Sequence, residues 1–288
     1  MSFIKIEKKI KKFNKNITTS GDKSLSIRWA LLASQSPFKS KSYNLLTSED
    51  VLNTLKCLKK LGVKIKLTKK FCEVFGVGLN GFKYKKSLSL NAGNSGTLGR
   101  LIMGLLVHCK NSIILKGDKS LSKRDFLRVS KPLEKFGAKF KTNSGKLPIS
   151  IKGTDNPLPI TYNETKGSAQ CKSAVMLAAL NTKGETIIKA KKSRNHSELL
   201  FKHLKLPIKI KKKKNYDLIR IKGGKKIPSI NYRIPADISS SAFFIVLTAL
   251  SENSKLKINN ININPSRTGI LSILRMMKVK IKIINKRV

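Results

Sequence analysis

Acidic residues are scarce in this chain: 15 Asp and Glu stand against 61 Lys and Arg, a formal charge of +46 over 288 residues. Aromatic residues make up only 6% of the chain, with a single Trp, so platforms for stacking bases are hard to build. Cysteine is limited to Cys57, Cys72, Cys109 and Cys171, with no CxxC and no histidine pairing nearby. That spacing excludes a disulfide framework and points to free buried thiols of a cytoplasmic protein rather than a metal site. No segment reaches the roughly 20 apolar residues that cross a bilayer, and the basic N-terminus, MSFIKIEKKIKKFNKN, has no apolar stretch of leader length. The longest apolar stretch, around Ala242 to Leu250, reads as a buried helix. There is also no Pro/Gly/Ser-rich linker, and with 40% hydrophobic residues the chain can build a sizeable core.

What is present is a pattern repeated four times. A small-residue turn opens an apolar helix at Ser24, Ser95, Ser168 and Ser239, at steps of 71, 73 and 71 residues. A second landmark, at Ser48, Ser122, Ser193 and Ser266, opens an amphipathic helix at steps of 74, 71 and 73. Similar endings follow: LGVKIKL, FGAKFK, LKLPIKI and MMKVKIKI. Two landmark sets sharing one period are the signature of a repeat architecture, in which each unit stacks on its neighbours. Each unit reads as strand, helix, two strands, helix, strand, an α/β (α+β) fold of βαββαβ units. In the first unit, residues 24–34 are helical, and Ser42 to Leu46 forms a short strand end. A helix follows Ser48 with Glu49 and Asp50 in its first turn, Gly62 stops it, and Val63 to Leu67 alternates as a half-buried strand. Ser2 to Phe13 also alternates like a strand, expected to pair with the later part of the chain. The domain boundary is expected near Asn231 to Pro235, with residues 14–232 as one domain and residues 1–13 plus 233–288 as part of a second.

Helix starts present free N–H groups and the positive end of the helix dipole, so they hold anions. At the first of them, Lys23, Ser24 and Arg28 can enclose a phosphate or carboxylate, although a capped helix with surface cations would leave the same trace. Asn94 and Gly96 form a second turn, where Gly96 permits close approach of a ligand; helix packing through small residues is the competing reading. Ser168, Ala169 and Gln170 repeat the pattern, and Arg124, Ser193 and Arg194 add polar groups at further helix starts. His196 reads as a surface or capping residue. The lysines, spread along the whole chain, read as a solvated surface; a basic nucleic-acid-binding protein is the alternative that rests on charge alone. No Walker A, GxGxxG, zinc-spacing or Ser-His-Asp pattern competes.

The segments GDKSLSIR, NAGNSGTLGRL, GDKSLSKR, KGSAQCKSAVMLAALNT, KSRNHSE, IPADISSSAF and NPSRTGIL resemble, in order, the enolpyruvyl transferase family. Lys23-Ser24, where the UDP-N-acetylglucosamine branch usually has Lys-Asn, places the resemblance with the EPSP synthases. The resemblance implies inside-out α/β barrel domains with six units in all, three per domain, of which four stand here. It implies transfer of the enolpyruvyl group of phosphoenolpyruvate to the 5-hydroxyl of shikimate 3-phosphate, with no cofactor or metal, no nucleic acid or membrane partner, and a monomer at full length. Shikimate 3-phosphate would meet Lys23, Ser24, Arg28, Ser168, Ala169, Gln170, Ser193 and Arg194. Phosphoenolpyruvate would meet Lys23, Asn94, Gly96, Arg124 and Gln170. The family's acid/base Asp and Glu belong to the fifth and sixth units, past Val288, so no catalytic residue is named, and a non-catalytic anion-binding fragment is the companion reading. Ile27, Trp29, Asp125 and Phe126 depart from the family pattern, and Asp125 is expected to pair with Arg124 and weaken its hold on an anion.

Overall fold

The computed structural model describes Lys5 and residues 10–284; of the strand expected over Ser2 to Phe13, residues 2–4 and 6–9 lie outside the described residues, and residues 10–13 are not in a strand. The chain divides into two compact units. One joins residues 1–22 to residues 235–288; the other is Lys23–Ile234. The first division lies later than the boundary expected at residue 13, because β1 (Asn14–Ile17) pairs with a strand of the C-terminal segment, in parallel from Asn14↔Lys255 to Ile17↔Ile258.

The Lys23–Ile234 unit contains three like sheets. The first repeat runs α1 (Lys23–Ser34), β2 (Lys39–Tyr43), α2 (Glu49–Lys60), β3 (Lys64–Leu67) and β4 (Phe71–Phe75). The second runs β5 (Leu88–Asn91), α3 (Gly96–Leu106), β6 (Ile113–Lys116), α4 (Lys119–Ser122), α5 (Leu127–Glu134), β7 (Lys139–Asn143) and β8 (Lys146–Lys152). The third runs β9 (Thr161–Glu164), α6 (Ala169–Asn181), β10 (Gly184–Lys191), α7 (His196–His203), β11 (Ile208–Lys212) and β12 (Tyr216–Gly223). The leading strand of the first repeat is β13 (Tyr232–Arg233), returned from the far end of the unit to lie parallel to β2. With it, the three sheets share one order: β13-β2-β4-β3, β5-β6-β8-β7 and β9-β10-β12-β11.

The unit order is thus strand-helix-strand-helix-strand-strand, which corrects the reading with two strands between the helices. A single strand separates the two helices, parallel to the leading strand, and the closing pair forms an antiparallel hairpin. Helices lie inside and sheets outside: every residue of α1 after Ser24 is buried, as is every residue of α6 from Cys171 to Asn181. Strands alternate, burying Leu147, Ile149 and Ile151 of β8 and turning lysines such as Lys146 and Lys152 to water. Helix α2 shows the local logic. Glu49 and Asp50 meet its positive end, Val51, Leu55 and Leu58 face the core, and Gly62 ends it at φ +87°, where a Cβ would lie 2.6 Å from the Lys83 carbonyl oxygen.

Three helix starts differ from the spacing-based reading. Ser122 closes the short α4 instead of opening a helix, because Asp118 caps that turn through the Leu121 N–H at 2.7 Å. Ser193 and Ser266 lie in turns ahead of their helices; α7 begins at His196 and α9 (Gly269–Met276) at Gly269.

The other unit holds β1, α8 (Ile238–Leu250), β14 (Lys255–Ile258) and α9. Asp237 caps α8 by accepting from the Ser239 N–H at 2.8 Å, and Arg267 reaches both Ser239 and Asp237. Only Ile238 and Ser241 of α8 are buried. Phe243 and Leu250 are each 79% exposed, so the helix read as buried presents an open apolar face.

Candidate functional site

Within the Lys23–Ile234 unit, the starts of α1, α3 and α6 are tied together by side chains. Arg28 of α1 is 5% exposed. Its Nη1 donates to the Ser24 carbonyl at 3.0 Å, its Nε to Ser197 Oγ at 2.8 Å and its Nη2 to Ser173 Oγ at 3.2 Å. Ser173 sits on α6 and Ser197 on α7, and their hydroxyls meet at 2.7 Å. Lys23, half exposed, lies 3.1 Å from the Asp50 carboxylate in the first turn of α2. Ser168 caps α6 by accepting from the Cys171 N–H at 3.3 Å, and Ala169 and Gln170 form its first turn. Ser193 and Arg194 lie in the turn before α7, with the Ser193 hydroxyl oxygen buried and without a hydrogen-bond partner among the described residues.

A second cluster surrounds Gly96, the first residue of α3. A Cβ there would meet Arg100 Nη1 at 3.0 Å and Arg124 Nη1 at 3.1 Å, so glycine leaves room for two guanidinium groups over the helix start. Asn94 donates to Asp118 Oδ2 at 2.6 Å and accepts a long 3.5 Å contact from Arg124. The Asp118 carboxyl is held below its usual range, chiefly by the Leu121 N–H and then by the Asn94 amide. Asp125 does not pair with Arg124 as expected. Its carboxylate accepts from the Leu127 N–H at 2.7 Å, capping α5, which leaves Arg124 turned toward Asn94 and Gly96.

Gln170 joins the clusters. Its Oε1 accepts from Arg100 Nη1 at 2.8 Å, and its Nε2 donates to Thr97 Oγ1 at 3.1 Å. Arg100 is 4% exposed, stacks over Phe126 at 5.1 Å and donates to the Asp125 carbonyl at 3.3 Å. Burial, and then the charge of Arg128, lower its pKa.

Sequence reasoning missed Arg100, Asp50, Asp118, Ser173 and Ser197. One signal for Arg100 was present: it follows Gly96 by the same four residues that separate Arg28 from Ser24, and both guanidinium groups reach back to that earlier carbonyl, Arg100 at 3.5 Å. Packing through small residues, the competing reading at the Asn94 turn, is seen further along α3 at Gly104, whose hypothetical Cβ would lie 2.1 Å from the Ala174 carbonyl oxygen of α6. Among the described residues no group of three His, Cys, Asp or Glu side chains is placed to hold a metal, and no helix is long and apolar enough to cross a membrane.

The structure is a repeated α/β domain with cations gathered at its helix starts. The chain belongs to the EPSP synthase (3-phosphoshikimate 1-carboxyvinyltransferase) family, whose model matches residues 7–287. It is 41% identical over 272 residues to the 3-phosphoshikimate 1-carboxyvinyltransferase of Vesicomyosocius okutanii, covering 94% of this chain and 61% of that relative. It is 42% identical over 279 residues to the same-named protein of Petrotoga mobilis, covering 95% of this chain and 63% of that one. The solved structure of EPSP synthase from Acinetobacter baumannii superposes with a TM-score of 0.88 at 35% identity, over 96% of this chain and 62% of that one. The chain therefore spans about three fifths of the length of these relatives.

Proposed function

We propose that this chain carries the substrate-holding domain of an enolpyruvyl transferase that joins phosphoenolpyruvate to the 5-hydroxyl of shikimate 3-phosphate and releases phosphate. The observation that carries the reading is the joining of three helix starts in one unit, through Arg28 between α1 and α6 and through Gln170 between α3 and α6. Shikimate 3-phosphate is assigned to the first cluster: Lys23, Ser24 and Arg28, with Ser168, Ala169, Gln170, Ser193 and Arg194. Phosphoenolpyruvate is assigned to the second: Asn94, Gly96 and Arg124, with Lys23 and Gln170 shared. A monomeric enzyme of the cytoplasm is part of the same reading, on family grounds.

The chemistry asks for this arrangement. The 5-hydroxyl gives up its proton as its oxygen attacks carbon 2 of phosphoenolpyruvate and carbon 3 gains one, and the tetrahedral phosphoketal then loses phosphate together with a proton from carbon 3. Both substrates carry a phosphate and a carboxylate, so bringing them together requires several fixed cations and N–H groups in a site that need not reorganise. Arg28 and Arg100 are already fixed by hydrogen bonds, whereas Lys23 carries its charge on a flexible stem beside Asp50.

The test uses Trp29, the only tryptophan, which follows Arg28 and donates to the Ile230 carbonyl at 3.0 Å. Titration with shikimate 3-phosphate should change its emission saturably, and shikimate without the phosphate should bind far more weakly. Absence of any saturable change, together with absence of binding heat, would overturn the proposal.

A further inference from the structure

The assigned ligands leave one charged pair without a role. Lys172 of α6 is wholly buried, and its Nζ lies 2.5 Å from Oε1 of Glu198 on α7, itself 3% exposed. Neither is a candidate ligand. Their chain neighbours are the informative ones: Ser173, one residue after Lys172, and Ser197, one residue before Glu198, meet at 2.7 Å, and both accept from Arg28. Two adjacent bridges therefore tie α6 to the first turn of α7, an ion pair and a hydroxyl pair, and the second of them receives the guanidinium.

We propose that Lys172 and Glu198 are positioning residues for Arg28: their ion pair locks the first turn of α7 against α6, so that Ser173 and Ser197 hold the Arg28 guanidinium in one orientation toward a phosphate dianion. This rests on the reading of Arg28 as a shikimate 3-phosphate ligand. Burying two charges is expensive, and an apolar pair of similar volume would hold two helices as well or better. What the ion pair adds is direction, since it fixes the rotation of α7 about its own axis, and one residue's rotation decides whether Ser197 faces Arg28. The bond to Ser197 Oγ, at 2.8 Å, is shorter than those to the Ser24 carbonyl at 3.0 Å and Ser173 Oγ at 3.2 Å. An arginine fixed before the ligand arrives spares the binding step the ordering of its side chain.

The experiment is a calorimetric titration of the purified full chain with shikimate 3-phosphate, run beside the Arg28 Nε–H signal in proton–nitrogen NMR spectra. Glu198→Gln and Ser197→Ala are each expected to weaken binding on the order of tenfold, the loss typical when a ligand's supporting hydrogen bonds are removed. In an Arg28→Ala background, Glu198→Gln should change affinity no further, because its effect passes through Arg28. The Arg28 Nε–H signal should be resolved in the wild type and collapse into the exposed-arginine region in Glu198→Gln. Should Glu198→Gln fail to fold, the double variant Lys172→Met with Glu198→Met strands no charge, and the same loss of affinity and of the resolved signal is expected. Full affinity in that double variant, full affinity in Glu198→Gln, or losses that multiply in the Arg28→Ala background would each overturn the proposal. A wild-type chain that does not bind shikimate 3-phosphate would sink the functional reading instead, and the NMR signal would still decide whether the ion pair orients Arg28.

Discussion

Helices α6 and α8 begin alike, with a capped small-residue turn and a run of apolar side chains, yet their surroundings are opposite. In α6 every residue from Cys171 to Asn181 is buried, down to the charged Lys172, while α8 buries only Ile238 and Ser241 and leaves Phe243 and Leu250 largely in water. The difference lies in company rather than in propensity. Helix α6 packs on α3, α5 and the sheet of β9 to β12, whereas α8 packs chiefly on β14 within its own unit. A repeat of this kind buries its central helix only when sister repeats surround it. Three repeats together complete a core, and with it fix the helix starts to which the anion site is assigned.

The largest effect expected from this contrast is on stability. Leu177→Ala in α6 should destabilise the chain by about 2–5 kcal/mol, because it opens a cavity in a close-packed interior. Denaturant unfolding followed by Trp29 emission measures it, and a loss below about 1 kcal/mol would mean that α6 is less enclosed than described. Acid should reveal the same enclosure. His108, just beyond α3, has its pKa lowered to about 4, chiefly by burial and partly offset by the Ala178 carbonyl. The folded chain therefore binds fewer protons than the unfolded chain between pH 6.5 and 4. Stability should fall as pH drops through that window, by about 2 kcal/mol at pH 5. In His108→Gln that part of the pH dependence should vanish, and an unchanged profile would clear His108 of the effect.

Smaller effects sharpen the contrast at the site and at the open face. Gly96→Ala puts a methyl group 3.0 to 3.1 Å from two guanidinium nitrogens, which must give way by a few tenths of an ångström. Phosphoenolpyruvate should bind roughly tenfold more weakly, about 1.4 kcal/mol, with shikimate 3-phosphate affinity held within about twofold. Equal losses for both substrates would merge the two clusters into one. Smallest of all, Phe243→Ser and Leu250→Ser should change stability by less than about 0.5 kcal/mol while reducing binding of an apolar dye. A large destabilisation would show that the α8 face is covered in solution.

Much of this was legible in the chain, and the parts that were not share a cause. The period of the repeat, the Gly62 stop and the alternating β3 follow from local rules about caps, glycine and side-chain periodicity. The order of strands was misread because the leading strand of the first repeat is β13, which returns to β2 across the whole unit. The split between α4 and α5 escaped because Asp118 and Asp125 cap two short helices where spacing suggested one. In the site, Lys23, Arg28, Gly96 and Arg124 stood out as unusual residues at helix starts. The partners of Arg28 did not, since Ser173 and Ser197 are ordinary serines 145 and 169 residues away. Local chemistry names the cations; only the packed repeats name what aims them.

The most direct test of the central claim, that packing of three repeats builds a fixed anion site, is calorimetric titration of shikimate 3-phosphate into the wild-type chain and into Lys23→Ala and Arg28→Ala. Saturable binding by the wild type, weakened on the order of tenfold or more in each variant, is the predicted result. Equal affinity in all three proteins, or no binding by the wild type, would contradict the account.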